Sequence, residues 1–252
     1  MKITVISPTY NESENVVLLI SELEKILDGL DYEILISDDD SPDLTWARVQ
    51  EIGHRNPRVR ALRRTSNRGL GASVVDGFAI ATGDVVACID ADLQHDPALL
   101  PRMFQELMNG SDLVVATRYM PGGGTSNWGA IRRLGSWGCT KLAQCVLGIR
   151  LRDPMSGYFM MRRDEFLRIR ERLNARGFKI LLEIVAQMRP SRLVEVPYTF
   201  GPRAHGESKL TRGIVFAYLA QLWRLYWQSR PVDVRAGTSK TDGASAPATL
   251  RQ

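Results

Sequence analysis

Carboxylate side chains cluster directly after an apolar run of the chain. Asp90, Asp92 and Gln94 follow the run 85–89, which has the composition of a buried strand. In an extended chain, residues i, i+2 and i+4 point to one side, so these three are expected to face one point. Carboxylate and amide oxygens suit Mg²⁺ or Mn²⁺, with a substrate's phosphates completing the coordination. The spacing favours a divalent metal site, and a capping turn into a helix near Asp96 is the alternative.

A second acidic cluster, Asp38 to Asp40, ends another apolar run in the same way. A capping turn accounts for one such end, but it does not account for two. The carboxyl ends of parallel strands meet at one edge of an open sheet, which is where such folds bind ligands. Two acidic strand ends on one sheet therefore predict a binding site at that edge.

Other catalytic and phosphate-binding patterns do not occur in the sequence. It contains no GxxxxGK[ST] loop, no complete GxGxxG and no GxSxG turn. The histidines His54, His95 and His205 have no metal or triad spacing, so we interpret them as ordinary surface or loop residues. The acidic strand ends remain the sequence's main candidate for chemistry.

Strand and helix patterns alternate along the first half of the chain. The expected strands are 3–7, 34–36, 59–62 and 85–89, and the expected helices are 14–27, 46–52 and 71–80. This alternation predicts an α/β fold with a mostly parallel, doubly wound sheet and flanking helices. Later segments predict helices at 131–147 and 178–188 and a strand entry at 153–161. We expect a catalytic domain over 1–210, an amphipathic helix over 211–228 and a disordered tail over 229–252.

Composition narrows the class of protein. The 252 residues are 44% hydrophobic and 24% charged, which excludes a disordered chain, a collagen-like repeat or a coiled coil. The three cysteines show no CxxC spacing, so we expect a reducing compartment. The net charge of +5 suits nucleic acid, anionic lipid or phosphorylated substrates. The two arginine clusters, at 60–68 and 162–176, are interpreted as solvated faces.

Seven ordered motifs carry a family resemblance that covers about residues 3 to 228. They are PTYNE at 8–12, DDDSPD at 38–43, DADLQ at 90–94, RY with GG, Trp, Arg and Ser between 118 and 136, GFKILLE at 177–183, EVPYTFGPR at 195–203 and GESKL at 206–210. Together they resemble the inverting family 2 glycosyltransferases, and among these the dolichol-phosphate mannose synthases. The resemblance implies a nucleotide-diphosphosugar transferase fold. It also implies transfer of mannose from GDP-mannose to dolichyl or another polyprenyl phosphate, with inversion.

The resemblance also implies roles for individual residues. The base and ribose would be held by Pro8, Tyr10, Glu12, Ser37 and Asp39. The ribose or diphosphate would contact Asp90 and Ala91, and the metal, Mg²⁺ or Mn²⁺, would be bound by Asp92 and Gln94 with help from Asp90. The acceptor phosphate would be held by Arg118, Arg132 and Ser136, and the donor's sugar and phosphates would meet Lys179, Arg203 and Lys209 on a mobile loop. The residues closest to the chemistry would be Asp92, Arg118, Arg203 and Lys209.

Two positions depart from the family pattern. Ser37 stands where an aliphatic residue is usual, and Leu44 stands where glycine is common. Two other functions stay open. The same reaction could use another donor such as UDP-glucose, and a basic nucleic-acid-binding protein is a distant alternative. The arginine clusters contain few aromatic residues, which disfavours nucleic acid as a partner.

The segment 214–227 bears on how a lipid substrate would be reached. It is dense in aliphatic and aromatic residues, and Gln221, Arg224 and Gln228 form a narrow polar stripe at helical spacing. At about 15 residues it is too short to span a bilayer. A core helix and an interfacial helix both fit this pattern, and Trp223 with its aromatic neighbours favours the interface. We expect a cytoplasmic protein, peripheral on the cytosolic face of a membrane, held by its own surface or by a separate membrane subunit.

Overall fold

A computed structural model describes residues 1–125, 129–175, 179–202 and 212–228. The described strands are β1 Ile3–Thr9, β2 Tyr32–Asp38, β3 Val59–Arg63, β4 Val85–Cys88, β5 Leu113–Thr117, β6 Gly124–Thr125, β7 Phe159–Arg162, β8 Leu193–Pro197 and β9 Thr199–Phe200. The described α-helices are α1 Ser13–Ile26, α2 Thr45–Arg55, α3 Leu70–Ile80, α4 Leu100–Met108, α5 Ala130–Leu147, α6 Arg163–Ile169, α7 Ile180–Met188 and α8 Arg212–Gln228. Short 3-10 helices cover Pro97–Leu99 and Arg170–Arg172.

Seven strands form the main sheet in the order β3-β2-β1-β4-β7-β5-β8. Strands β2, β4 and β5 are buried along their whole length, because helices cover both faces of the sheet. On one face, Leu19 of α1 and Met103 of α4 pack in the same core cluster. On the other face, the rings of Phe78 and Phe166 meet edge to face at 5.2 Å between α3 and α6. The expected α/β fold with a mostly parallel sheet and flanking helices is confirmed.

One strand runs against the others. Strand β7 pairs antiparallel with both β4 and β5, so Phe159 lies opposite Cys88 and Val115. The chain therefore enters β7 at the same edge where its parallel neighbours end. This reversal brings the segment 153–158 to the carboxyl edge of the sheet, next to the acidic strand ends.

Strand β1 continues past Pro8 to Thr9, although the sequence predicts that Pro8 ends it. Ile6 accepts a bond on the β4 side and Thr9 accepts one on the β2 side, so the nitrogen of Pro8 faces the β4 side. Because the pairing with β4 stops at Ile6, no ladder partner is required there.

The departure at Leu44 has a backbone counterpart. Leu44 precedes α2 with φ of 60°, in the left-handed region that glycine adopts at little cost. A glycine would adopt this turn at lower cost, which accounts for the family pattern at position 44.

Candidate active site

The carboxyl ends of β1, β2, β4 and β5 line one edge of the sheet. The predicted residues in or directly after these strand ends are Pro8, Tyr10, Glu12, Ser37, Asp39, Asp90, Ala91, Asp92, Gln94 and Arg118. The structure therefore places the larger part of the predicted site along one edge. Their side chains nevertheless play very different structural parts.

The three carboxylates of the acidic cluster at the end of β2 have different partners. Asp38 is fully buried, and its Oδ2 accepts hydrogen bonds from the hydroxyls of Thr9 (2.8 Å) and Ser41 (2.6 Å). It therefore holds the β1 and β2 ends together. Asp40 pairs at the surface with Arg63 and Arg68. Asp39 is left as the buried carboxylate of this cluster that faces the segment after β3.

Asp39 is held by Arg64. The interpretation of the cluster 60–68 as a solvated face is therefore wrong at this residue. Arg64 is buried, and its guanidinium pairs with Asp39 Oδ1 and donates to Asp76 Oδ2 at 2.9 Å. The backbone N–H of Gly69 donates to Asp39 Oδ2 at 2.6 Å. A short apolar strand with flanking arginines gives no sign that one of them turns inward.

Two of the predicted base-binding positions have different surroundings. Tyr10 is exposed at the end of β1. Ser37 is fully buried, its hydroxyl donates to the carbonyl of Ser73 at 2.9 Å, and Ser73 returns a bond to the carbonyl of Ser37 at 2.8 Å. Ser37 therefore joins β2 to α3, which explains a hydroxyl where an aliphatic residue is usual.

The DADLQ segment is a turn and not the extended chain that the spacing argument assumes. Strand β4 ends at Cys88, and Leu93 has φ of 60°. Asp92 is buried and its Oδ1 accepts the N–H of Gln94 at 3.1 Å, while Gln94 Nε2 donates to the carbonyl of Gly201 at 3.0 Å. The prediction that alternate side chains share one face of a strand is wrong here, because the chain reverses at Leu93.

The capping alternative is confirmed one step further along. Asp96 Oδ1 accepts the N–H of Ala98 at 2.9 Å and begins the helix Pro97–Leu99. A capping aspartate therefore coexists with the acidic strand end. Within the described residues, no group of three or more His, Cys, Asp or Glu side chains could hold a metal ion. Any metal here would need the amide of Gln94 and oxygens from a substrate.

His95 lies in a loop, as one part of the expectation has it, but it is buried inside the site and the expectation of a surface histidine is wrong. Its Nε2 lies 3.0 Å from Asp90 Oδ2, and the residue is buried among Tyr158, Tyr198 and Phe200. A lone histidine after an acidic motif has no spacing that would mark this position.

Arg118 is oriented by a carboxylate that the sequence analysis missed. Its Nε donates to Asp153 Oδ2 and its Nη2 to Asp153 Oδ1, both at 2.7 Å, and both residues are buried. Burial alone would lower the pKa of Arg118, but the hydrogen bonds and charge of Asp153 raise it above its ordinary value. Nearby, the hydroxyls of Tyr119 and Ser136 lie 2.8 Å apart. Asp153 precedes an irregular segment, and no motif distinguishes it from a surface carboxylate.

The chain matches Glycosyl transferase family 2 over residues 4–169, which includes the strand ends described above. It belongs to that family. It is 45% identical over 227 residues to the dolichol-phosphate mannosyltransferase of Pyrococcus furiosus, an alignment that covers 89% of this chain and 64% of that protein. The chain thus spans less than two thirds of that relative.

Two further relatives match over more of their own length. The dolichol-phosphate mannosyltransferase of Saccharomyces cerevisiae is 36% identical over 233 residues, which are 88% of this chain and 86% of that protein. The undecaprenyl-phosphate mannosyltransferase of Micrococcus luteus is 35% identical over 221 residues, which are 85% of this chain and 90% of that protein.

The fold is also that of a solved glycosyltransferase. The chain superposes on glucosyl-3-phosphoglycerate synthase from Mycobacterium tuberculosis, in complex with Mn²⁺, UDP-glucose and glycerol 3-phosphate, with a TM-score of 0.64. The two are 21% identical, and the match covers 90% of this chain and 79% of that one. This likeness confirms the expected nucleotide-diphosphosugar transferase fold.

In this family 2 glycosyltransferase, Lys179 joins the strand-end residues from outside the matched region. Its Nζ donates to the carbonyl of Met155 at 3.2 Å, in the segment that leads into β7. Burial lowers the pKa of Lys179, and the neighbouring charge of Asp90 acts in the opposite direction. The structure thus brings Lys179, Asp90 and the Arg118–Asp153 pair into one electrostatic environment.

The remaining predicted residues are not tested by this geometry. Arg203 and Lys209 lie outside the described residues, and so does the side chain of Arg132, whose backbone belongs to α5. Ser136 is on the same helix, one turn further along.

Proposed function

We propose that this chain transfers a mannosyl group from GDP-mannose to dolichyl phosphate or a related polyprenyl phosphate, with inversion at the anomeric carbon. The observation that carries the proposal is the similarity, over 85% or more of the chain, to relatives named for that transfer. The strand-end edge supports it, because it combines carboxylates with buried cations where family 2 folds bind nucleotide sugars. UDP-glucose as the donor is less supported by these relatives.

The proposed reaction does not require the protein to transfer a proton. A phosphate oxygen of the acceptor forms a bond to the anomeric carbon, and the bond from that carbon to the diphosphate breaks. The electron pair leaves with GDP, so an α-linked donor yields a β-linked product and no proton moves. Because the acceptor is already an anion at pH 7, no strong general base is required. What remains is to hold two anions close together.

The described cations are placed for that task. Asp153 holds the guanidinium of Arg118 in one orientation, and we propose that the edge of this planar group faces the acceptor phosphate together with Ser136 and Arg132. Lys179 would neutralise charge on the donor side, near Asp90. Arg203 and Lys209 would complete the donor site from the segment after Gly201.

The donor set fits a hard divalent cation. Asp90 and Asp92 offer carboxylate oxygens, and the bond from Gln94 Nε2 to Gly201 orients the Gln94 amide with Oε1 as its acceptor atom. We propose that these residues hold Mg²⁺ or Mn²⁺ with the donor's diphosphate. The cation would supply charge stabilisation for the leaving diphosphate. Tyr10, Glu12 and Asp39, at the ends of β1 and β2, would hold the base and ribose.

We also propose that the face formed by α5 and α8 rests on the membrane surface that carries the acceptor. Among the described helices, none has the length and apolar character needed to cross a bilayer. On α8, Phe216 is 75% exposed and Trp223 is 65% exposed, and on α5 Leu134 and Trp137 are exposed as well. The two helices are joined by the Tyr218 hydroxyl, which donates to the carbonyl of Cys139 at 2.6 Å. Aromatic and aliphatic side chains on one outer face suit the bilayer interface.

The membrane in question would be approached from its cytosolic side. The described cysteines Cys88, Cys139 and Cys145 are all free thiols, which fits a reducing compartment. A separate membrane subunit that receives the same face is the alternative to direct lipid contact.

The proposal is tested with the purified chain, Mg²⁺, radiolabelled GDP-mannose and polyprenyl phosphate in detergent micelles. We expect a chloroform-soluble mannolipid, with little product from UDP-glucose. Asp92→Asn should lower turnover about 100-fold or more, because a carboxylate that orients the donor's cation is lost. Asp28→Asn, at an exposed position after α1, is the matched control and should keep wild-type turnover. Product from UDP-glucose alone would overturn the donor assignment, and no lipid product from either donor would overturn the proposed function.

A further inference from the structure

His95 is buried, and only one of its two ring nitrogens has a hydrogen-bond partner among the described residues. The residue is only 2% exposed, and its Nε2 has a hydrogen-bond partner in Asp90 Oδ2 at 3.0 Å. Its Nδ1 is also buried, and no hydrogen-bond partner for it occurs among the described residues. One ring nitrogen is therefore committed to a carboxylate of the site while the other lies in an apolar environment.

This asymmetry assigns the proton on the ring. An ionised carboxylate oxygen can only accept, so Nε2 carries the hydrogen and donates it to Asp90. A hydrogen on Nδ1 would be a buried donor without an acceptor among the described residues, which is unfavourable.

The ring is also fixed in place by its neighbours. The ring of His95 lies 5.3 Å from that of Tyr158, 5.4 Å from that of Tyr198 and 5.3 Å from that of Phe200, measured between centroids. The hydroxyl of Tyr158 donates to the carbonyl of Asp96 at 3.2 Å, which ties this cage to the residue after His95. Aromatic packing on these sides prevents the imidazole from turning its Nε2–H away from Asp90.

The backbone of Gly157 also lies close to the carboxylate of Asp90. A Cβ at position 157 would lie 2.9 Å from Asp90 Oδ2, closer than real Cβ atoms come to any atom. Gly157 thus lets the backbone approach the carboxylate directly. The Oδ2 atom of Asp90 thus lies close both to this backbone and to Nε2 of His95.

We propose that His95 is a positioning residue for Asp90: its Nε2–H fixes one carboxylate oxygen so that the other is aimed at the divalent cation and diphosphate of the donor. The inference rests on the proposed function, since it assumes that Asp90 contacts that complex. Removal of the His95 N–H allows the Asp90 carboxylate to rotate. The affinity for metal-bound nucleotide then falls, while the affinity for the nucleotide alone does not.

The test measures the binding of GDP by isothermal titration calorimetry, with and without Mn²⁺. His95→Phe keeps an aromatic ring in the cage and removes the N–H. It should weaken Mn²⁺-dependent GDP binding by about 10- to 100-fold, as loss of an outer partner of a ligand does elsewhere, and leave metal-free GDP binding within twofold. His95→Gln, whose amide N–H can reach the same oxygen, should recover most of the loss. His54→Gln, at an exposed histidine, is the control for the substitution itself.

Two results would overturn the inference. One is a His95→Phe variant that binds Mn²⁺ and GDP as the wild type does. The other is a variant whose metal-free binding falls by the same factor, because that would show a purely structural role. In an Asp90→Asn background, His95→Phe should cause no further loss.

A separate readout covers the case in which His95→Phe does not fold. Nitrogen-15 NMR of the wild-type chain should show that Nε2 of His95 carries a hydrogen, and the tautomer with its hydrogen on Nδ1 alone would contradict the inference. Failure of the wild type to bind GDP under any condition would instead count against the proposed function, and it would leave the tautomer result standing.

Discussion

Individual side chains at the strand ends are held by partners that are distant in the chain. Arg118 and Asp153 are 35 positions apart and form a bidentate pair with little contact with solvent. Such a pair fixes the plane of the guanidinium, which a lone arginine on a loop would not do. Its contribution to the site is therefore orientation, and its removal should be visible in stability as well as in activity.

Asp153→Asn should lower the free energy of unfolding by about 3–5 kcal/mol, because it leaves a buried guanidinium without its counter-charge. Urea denaturation followed by circular dichroism measures this loss. Asp164→Asn is the control, since Asp164 pairs with Arg168 at 3.6 Å on the surface and should cost at most about 1 kcal/mol. Equal stability of the two variants would show that the Arg118–Asp153 pair is not a buried interaction.

Helix α8 turns Gln221 and Arg224 toward α7 and leaves Phe216, Trp223 and Trp227 exposed. Gln221 is buried, its Nε2 donates to the carbonyl of Lys179 and to Glu183 Oε1, each at 3.0 Å, and Arg224 pairs with the same carboxylate. Glu183 is fully buried in α7, so a charged network joins the two helices beside the apolar contact of Leu182 with Leu222 and Leu225. Trp223 and Trp227 are left on the outside.

Arg224→Leu should destabilise the chain by about 3 kcal/mol, because Glu183 stays buried and keeps only its amide partner. The double variant Glu183→Leu/Arg224→Leu should be more stable than Arg224→Leu alone, since no uncompensated charge remains. A double-mutant cycle from urea denaturation measures the coupling, and Arg168→Leu at the surface is the matched control. Additive losses in the cycle would mean that the two side chains do not interact.

Exposed apolar side chains lie on α5 and α8, and the carboxylates and cations of the site lie at the strand-end edge. The net charge of +5 adds a long-range attraction toward anionic lipids, and the face of α5 and α8 provides the apolar contact. Both terms act together only if the chain binds a membrane with that face. The acceptor's phosphate would then be presented to the strand-end edge while its polyprenyl chain stays in the bilayer.

Phe216→Ser/Trp223→Ser should weaken binding to vesicles of phosphatidylcholine and phosphatidylglycerol at least tenfold, because transfer of large apolar side chains from water is worth about 1.5–3 kcal/mol each. Co-sedimentation measures the partition, and activity on acceptor in detergent micelles should fall less than activity on acceptor in vesicles. Leu18→Ser, at an exposed position of α1, is the control. Unchanged partition of the double variant would point to a membrane subunit in place of direct lipid contact.

Local patterns in the chain were enough to predict the architecture and the place of the site. The apolar runs of β1, β2 and β4 alternate with helical patterns, and acidic residues stand at the strand ends, so fold and edge follow from short-range order. The ordered motifs added the family. Strand β5 (Leu113–Thr117) was not among the expected strands, although it is a short buried run like β4.

Which partner each charged residue takes was decided only by the tertiary structure. Arg64 and Asp153 each pair with a site residue from another part of the chain, and His95 reaches Asp90 from five positions away. Nothing in their neighbours distinguishes these three from surface residues. The inward polar stripe of α8 has the same origin, since helical spacing defines a face but not the direction in which it points. The Arg118–Asp153 pair depends on the reversal of β7, and the polar contacts of α8 depend on the packing of α7, because these place distant segments side by side. Spacing along the chain does not show which strand ends are neighbours. The order of strands in the sheet decides this, and ion pairs between distant residues depend on it.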